Sequence, residues 1–220
     1  MRLRKVKHAD ITIKANPDKI VEIPRNSKVD LKERINNRPL DLEIGAGKGQ
    51  FIHTLAREYP NRFFLAVERY DSVIVRALEK FIEEPRDNVL LVQADAEVLK
   101  DSLPPHSVDT IYLNFSDPWP KVRHAKRRLT HPQFLSLYQN LLKPEGSLEF
   151  KTDNRNLFEY TLETMNSFGM KFKEVCLNLH KTYDPEALIM TEFEERFSKE
   201  GPIYKLIATF KEDTTHEENL

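Results

Sequence analysis

Apolar runs of strand length alternate with segments of helical spacing through most of the chain, the pattern of a parallel sheet wrapped by helices. Runs at residues 40–44, 63–67, 89–93, 108–115, 147–151, 171–177 and 203–210 read as strands. Residues 49–58, 71–83, 132–142 and 154–168 read as helices, with Phe134, Leu137, Tyr138, Leu141 and Leu142 as the clearest apolar face. Lys143-Pro144-Glu145-Gly146 stops the third helix and turns into a strand. No long crossover helix is evident between the last two strands, so an antiparallel, hairpin-like ending is expected. The expected fold class is α/β, a seven-stranded, mostly parallel sheet with an antiparallel last strand.

Residues 1–37 break this pattern. They are polar, contain Pro17 and Pro24, and read as an irregular N-terminal arm over the sheet, basic at its start through Arg2, Arg4, Lys5 and Lys7. Residues 38–211 then make one domain and residues 212–220 an acidic, disordered tail. With 220 residues, 40% of them hydrophobic, the chain can bury a full core. A formal net charge of -1 means that attraction to a polyanion must come from local patches. Cys176 is the only cysteine, which excludes an intrachain disulfide and a cysteine-based metal site and points to a reducing compartment. His53, His124 and His131 have no metal-ligand spacing, so no metal is expected. No apolar h-region follows the basic start, and no run approaches the roughly 20 apolar residues of a membrane span. The expectation is a cytoplasmic protein without membrane contact, monomeric or homodimeric.

Asp41-Leu42-Glu43-Ile44-Gly45-Ala46-Gly47-Lys48-Gly49 leads from a buried strand into a helix, and alternate glycines permit a tight turn with close ligand approach. The dinucleotide fingerprint fails because Gln50 stands at its sixth position, and a P-loop fails because Gly47-Lys48 lacks the upstream spacing and the following Ser or Thr. Glu43 would repel pyrophosphate but suits a cation such as the ammonium or sulfonium of S-adenosylmethionine. Glu68, ending the next strand, fits an acceptor for ribose hydroxyls, and Asp95, ending the third, fits the adenine amino group. Glu68 or Asp95 alone reads as readily as a helix cap or surface acid as it does as a ligand. The placement of all three acids at successive strand ends is what groups them with Gly45 and Gly47 as a cofactor site.

The fourth long run, VDTIYLNF, delivers Ser116-Asp117-Pro118-Trp119-Pro120 to the same edge of the sheet, followed by KVRHAKRR. A basic run alone reads as a solvated face or a targeting tract. Beside a carboxylate and stiff prolines, it reads as a phosphate-binding surface serving chemistry on a nucleobase. Trp119 fits core packing and base contact equally. Asp153 by itself reads as a turn-forming residue before a helix, and Cys176 as plain core.

On DLEIGAGKG, SDPWPKVRHAKRRL, FKTDN and the late TEFE, the chain resembles the bacterial tRNA (guanine-N7)-methyltransferase family over nearly its whole length. The resemblance implies a class I, Rossmann-like methyltransferase fold, S-adenosylmethionine as methyl donor, and a guanine in the variable loop of tRNA as acceptor. It implies Glu43, Glu68, Asp95 and Asp117 as cofactor-site acids, with Asp117 also the active-site residue. Lys121, Asp153, Thr191 and Glu194 match substrate-contacting positions. Arg123, His124, Lys126, Arg127 and Arg128 match the tRNA-contacting run. Glu192 departs from the pattern, where a lysine is expected. Two other functions stay open on the residues: methylation of an exocyclic or amide nitrogen, since Asp117-Pro118-Trp119 resembles an acid-proline-proline-aromatic motif, and an RNA-binding module with a vestigial pocket.

Overall fold

The alternation of burial along the central strands sets the layers. In β2 (Leu40–Ile44), Leu40, Leu42 and Ile44 enter one hydrophobic core while Asp41 and Glu43 face the other way. In β3 (Phe63–Glu68), Phe63, Leu65 and Val67 join that same core, and Phe64 and Ala66 join a second one on the opposite face. Helices cover both faces, which is why β3 reads as a nearly continuous apolar run. Helices α1 (Ala9–Lys14), α3 (Gln50–Glu58) and α4 (Asp71–Glu83) pack on one side through Ile13, Phe51, Ile52, Leu55, Ile74 and Leu78. Helices α2 (Lys32–Ile35), α5 (Pro132–Leu141) and α6 (Arg155–Ser167) pack on the other through Ile35, Phe134, Tyr138, Phe158 and Met165. The computed structural model describes residues 8–211; Arg2, Arg4, Lys5, Lys7 and the acidic tail lie outside the described residues.

Among the described residues the sheet has eight strands, in the order β1-β4-β3-β2-β5-β6-β8-β7. The remaining strands are β1 (Ile20–Glu22), β4 (Val89–Gln93), β5 (Val108–Asn114), β6 (Leu142–Thr152), β7 (Lys171–Cys176) and β8 (Tyr204–Thr209). β8 is antiparallel to both its neighbours, and every other pairing is parallel. The expected antiparallel last strand is present, but the expected count of seven is corrected to eight. The extra strand comes from the segment expected to be irregular: Ile20 pairs with Leu91 and Glu22 with Gln93 at the sheet edge. Three residues between two prolines carry no measurable period, so only the unpaired edge of β4 reveals them as a strand. β7 and β8 pair antiparallel as expected, with the short helices α7 (Leu179–Thr182) and α8 (Glu192–Phe197) in the connection between them.

After the edge strand β1, the chain enters the middle of the sheet at β2, steps outward through β3 and β4 on one side, and returns to β5 and β6 on the other. The order reverses between β2 and β5, and a crevice opens at the carboxyl ends of strands at such a switch point.

Candidate active site

The glycine turn is held open by its backbone. Gly45, Gly47 and Gly49 have φ of 81°, 60° and 77°, a region that suits glycine best. The N–H groups of Gly45 and Ala46 donate to the Val67 carbonyl at 2.8 and 3.0 Å, pinning the turn to the end of β3. Gly47 N–H donates to Glu68 Oε2 at 3.2 Å, while Arg69 and Tyr70 N–H donate to Glu68 Oε1 at 2.8 and 3.0 Å. Burial raises the Glu68 pKa, and those three bonds pull it back. Asp95 caps the 3₁₀ turn Ala96–Asp101, accepting from Glu97 N–H at 3.4 Å, and lies 3.9 Å from Arg69. Glu43, Gly45, Gly47, Glu68 and Asp95 thus stand at or just beyond the carboxyl ends of the adjacent strands β2, β3 and β4.

Two acids on the same face of β2 meet opposite fates. Asp41 is 2% exposed and takes a bidentate grip from Arg62, Nε and Nη2 each 2.6 Å from a carboxylate oxygen. Glu43 is 1% exposed, and its Oε1 accepts only from Asn114 Nδ2, at 2.9 Å, while its Oε2 is buried without any partner. Burial pushes its pKa up to about 8, against the pull of the Asn114 bond and of Lys151. A buried carboxylate oxygen without a partner is costly unless a ligand completes it. The completing group must donate hydrogen bonds or carry positive charge. Asn114, which spans the β2–β5 switch point to hold Glu43, was not expected. The only signal for it in the sequence is an amide ending an otherwise apolar run.

From β5 the chain enters a tight loop. Phe115 and Trp119 have φ of 50° and 42°, a left-handed conformation uncommon for aromatic residues and worth about 1–3 kcal/mol of strain each. Between them Asp117 is exposed, just beyond the carboxyl end of β5. The 3₁₀ turn Val122–Arg127 comes next, with no buried residue. Lys121, Arg123, Lys126 and Arg127 are exposed, and His124 and Arg128 are half-buried. Trp119 serves its own loop: Arg127 stacks over its ring at 4.8 Å and His124 meets it edge-on at 5.7 Å. Its indole is neither a plug of the main core nor a freely exposed face.

The remaining expected residues arrive from β6 and α8. Asp153 directly succeeds β6 and is exposed, and the helix-capping role goes to its neighbour Asn154, which accepts from Leu157 N–H at 2.9 Å. Thr191 caps α8, accepting from Glu194 N–H at 3.0 Å. Glu194 is fully buried, with Lys151 Nζ 2.6 Å from Oε2 and His180 Nε2 3.1 Å from Oε1. Its carboxylate is thereby occupied within the protein, anchoring α7 and α8 to the end of β6. Lys151 and His180 were not singled out in the sequence. A lysine closing the buried run SLEF was the available signal. Glu192, standing where lysine was expected, pairs with Lys80 of α4 at 3.1 Å and so ties α8 to α4. Among the described residues no helix is long and apolar enough to cross a membrane, and no cluster of metal-ligating side chains is found.

A family described as "Putative methyltransferase" matches residues 37–206. A tRNA (guanine-N(7)-)-methyltransferase of Lactiplantibacillus plantarum is 49% identical, covering 96% of this chain and 99% of its own length. A protein of the same name from Lachnoclostridium phytofermentans is 46% identical over 94% of this chain and 98% of its own. Among solved structures, an antibiotic-related methyltransferase superposes with a TM-score of 0.62 at 19% identity, covering 88% of this chain and 96% of that one. A SAM-dependent methyltransferase from Aquifex aeolicus gives 0.55 at 18% identity, covering 82% and 87%. These structures share the fold of this chain. Sequence identity near one half along almost the entire length carries the assignment further: the chain belongs to the tRNA (guanine-N(7)-)-methyltransferase family.

Proposed function

We propose that this protein transfers a methyl group from S-adenosylmethionine to N7 of a guanine in the variable loop of tRNA, in the cytoplasm and without a metal. The observation that carries this reading is Glu43, a buried carboxylate with one oxygen lacking a partner, in the crevice to which β5 also delivers Asp117. A buried carboxyl that ionises when a cation meets it suits a cationic sulfonium cofactor and opposes a polyphosphate one. The names of the near-full-length relatives supply the acceptor.

Glu43, Glu68 and Asp95 would hold the cofactor, with the Gly45–Gly47 turn allowing close backbone approach. S-adenosylmethionine supplies, when bound, a methyl carbon made electrophilic by its sulfonium. Guanine N7 has a free lone pair and loses no proton on methylation, so the protein need not provide a base. Asp117 would accept hydrogen bonds from guanine N1 and N2 and stabilise the positive charge that grows on the ring. Lys121, Asp153 and Thr191 would border the base, and Arg123, His124, Lys126 and Arg127 would meet tRNA phosphates. Glu194 would act on the substrate through the segment it anchors.

Transfer of labelled methyl to tRNA, with the product mapped by cleavage at N7-methylguanine, tests the reading. Methyl on an exocyclic nitrogen, or no transfer by a protein that binds the cofactor, refutes it. Asp117→Ala is expected to lower kcat by about 10²-fold or more while leaving tRNA affinity near wild type.

A further inference from the structure

We propose that Arg128 is a positioning residue for the Asp117 loop and not a phosphate ligand, an inference that rests on the methyltransferase reading above. Its guanidinium points back into its own loop. Nε donates to the Pro118 carbonyl at 3.1 Å and Nη2 to the Trp119 carbonyl at 3.0 Å. Its flat face lies over the ring of Tyr160, from α6, at 4.1 Å. Two successive carbonyls directly after Asp117 are thus gripped by one rigid fork, which is itself seated on an aromatic shelf fixed to the helical layer.

The loop needs such a grip. Trp119 holds a φ of 42°, which a residue with a Cβ keeps only when its surroundings impose it. Prolines at 118 and 120 remove two backbone N–H donors that would otherwise help to anchor the turn. Arg128 replaces that anchorage by satisfying the carbonyls instead. Lysine carries the same charge but lacks the planar fork that bonds two acceptors while stacking on a ring. The cationic run therefore divides: Lys121, Arg123 and Lys126 stand exposed, whereas Arg128 faces inward and sets where Asp117 stands.

Trp119 is the only tryptophan of the chain, so its fluorescence reports on this loop directly. Arg128→Lys and Arg128→Ala are expected to increase acrylamide quenching of Trp119 and to lower the single-turnover methylation rate at saturating tRNA by about 10²-fold. The dissociation constant for tRNA, and its slope against salt, stay at wild-type values. Tyr160→Leu, which removes only the shelf, shifts quenching in the same direction. The proposal is overturned if the Arg128 variants keep wild-type quenching while the salt slope drops by about one unit, the signature of a lost phosphate contact. It is equally overturned if folded Arg128→Lys matches the wild type in both quenching and rate. Quenching is read without tRNA, so a wild-type protein that fails to methylate tRNA sinks the functional reading but not this assignment.

Discussion

At the scale of single residues, the contrast between Asp41 and Glu43 is the informative one. Both are buried acids on one face of one strand, yet Arg62 neutralises the first and no protein cation completes the second. The folded-state pKa of Glu43, about 8, stands above its ordinary 4.5, so between those values the folded protein holds a proton that the unfolded chain has released. Its contribution to stability therefore declines as pH rises through that window and remains unfavourable above it. Glu43→Gln is expected to raise the melting temperature of the cofactor-free protein at pH 8 more than at pH 5, by about 2–4 °C for each kcal/mol recovered, and to abolish cofactor binding. Binding of S-adenosylmethionine to the wild type near pH 7 should release a proton from Glu43. Calorimetry in buffers of different ionisation enthalpy reads that release, and a Glu43→Gln protein showing the same proton count and affinity contradicts the assignment. Lys151 offers a second test, because its partner Glu194 is fully buried. Lys151→Met should cost about 3–5 kcal/mol in urea unfolding by stranding that carboxylate, and Lys151→Met with Glu194→Met should recover much of the loss.

At the scale of elements, the site is a set of strand ends, each tuned by the segment into which its strand leads. β2 ends in a glycine turn, β3 in a carboxylate fastened by backbone N–H groups, β4 in a capping aspartate, and β5 in a gripped loop. The turn also sets how α3 leaves the sheet. A Cβ on Gly49 would lie 2.9 Å from the Ala77 Cβ of α4, and its φ of 77° is itself strained for any residue with a side chain. Gly49→Ala is therefore expected to lose about 2–4 kcal/mol by chemical denaturation. Adding Ala77→Gly relieves only the overlap, and full recovery in that double variant would show that backbone strain contributes nothing. These elements were legible along the chain in unequal degree. FFLAVE announced itself because burial on both faces demands nearly continuous apolar sequence, and LDLEI by its strict alternation of apolar and acidic positions. Ile20–Glu22 did not, being a strand only by virtue of its neighbour.

At the scale of the whole molecule, charge is arranged locally. With a net charge of -1, no global field draws a polyanion, so on the proposed function affinity for tRNA is expected to rest on the exposed cations that follow Asp117. Arg123→Ala with Lys126→Ala is expected to weaken tRNA binding and to reduce its salt slope by about two units, measured by filter binding across salt concentrations. An unchanged slope would move the tRNA surface elsewhere on the protein. The chain alone determined the sheet class, the glycine turn, the three acids at strand ends and the position of the Asp117 loop, because strand burial and turn chemistry are written in local pattern. Only the tertiary structure decided which acid keeps an unpartnered oxygen, that Asn114 holds it, that Lys151 and His180 occupy Glu194, and that Arg128 turns inward. Each of those depends on a partner well removed along the chain, at sequence separations of 71, 43, 14 and 10 residues. Local pattern records what a residue needs, whereas only packing records what supplies it.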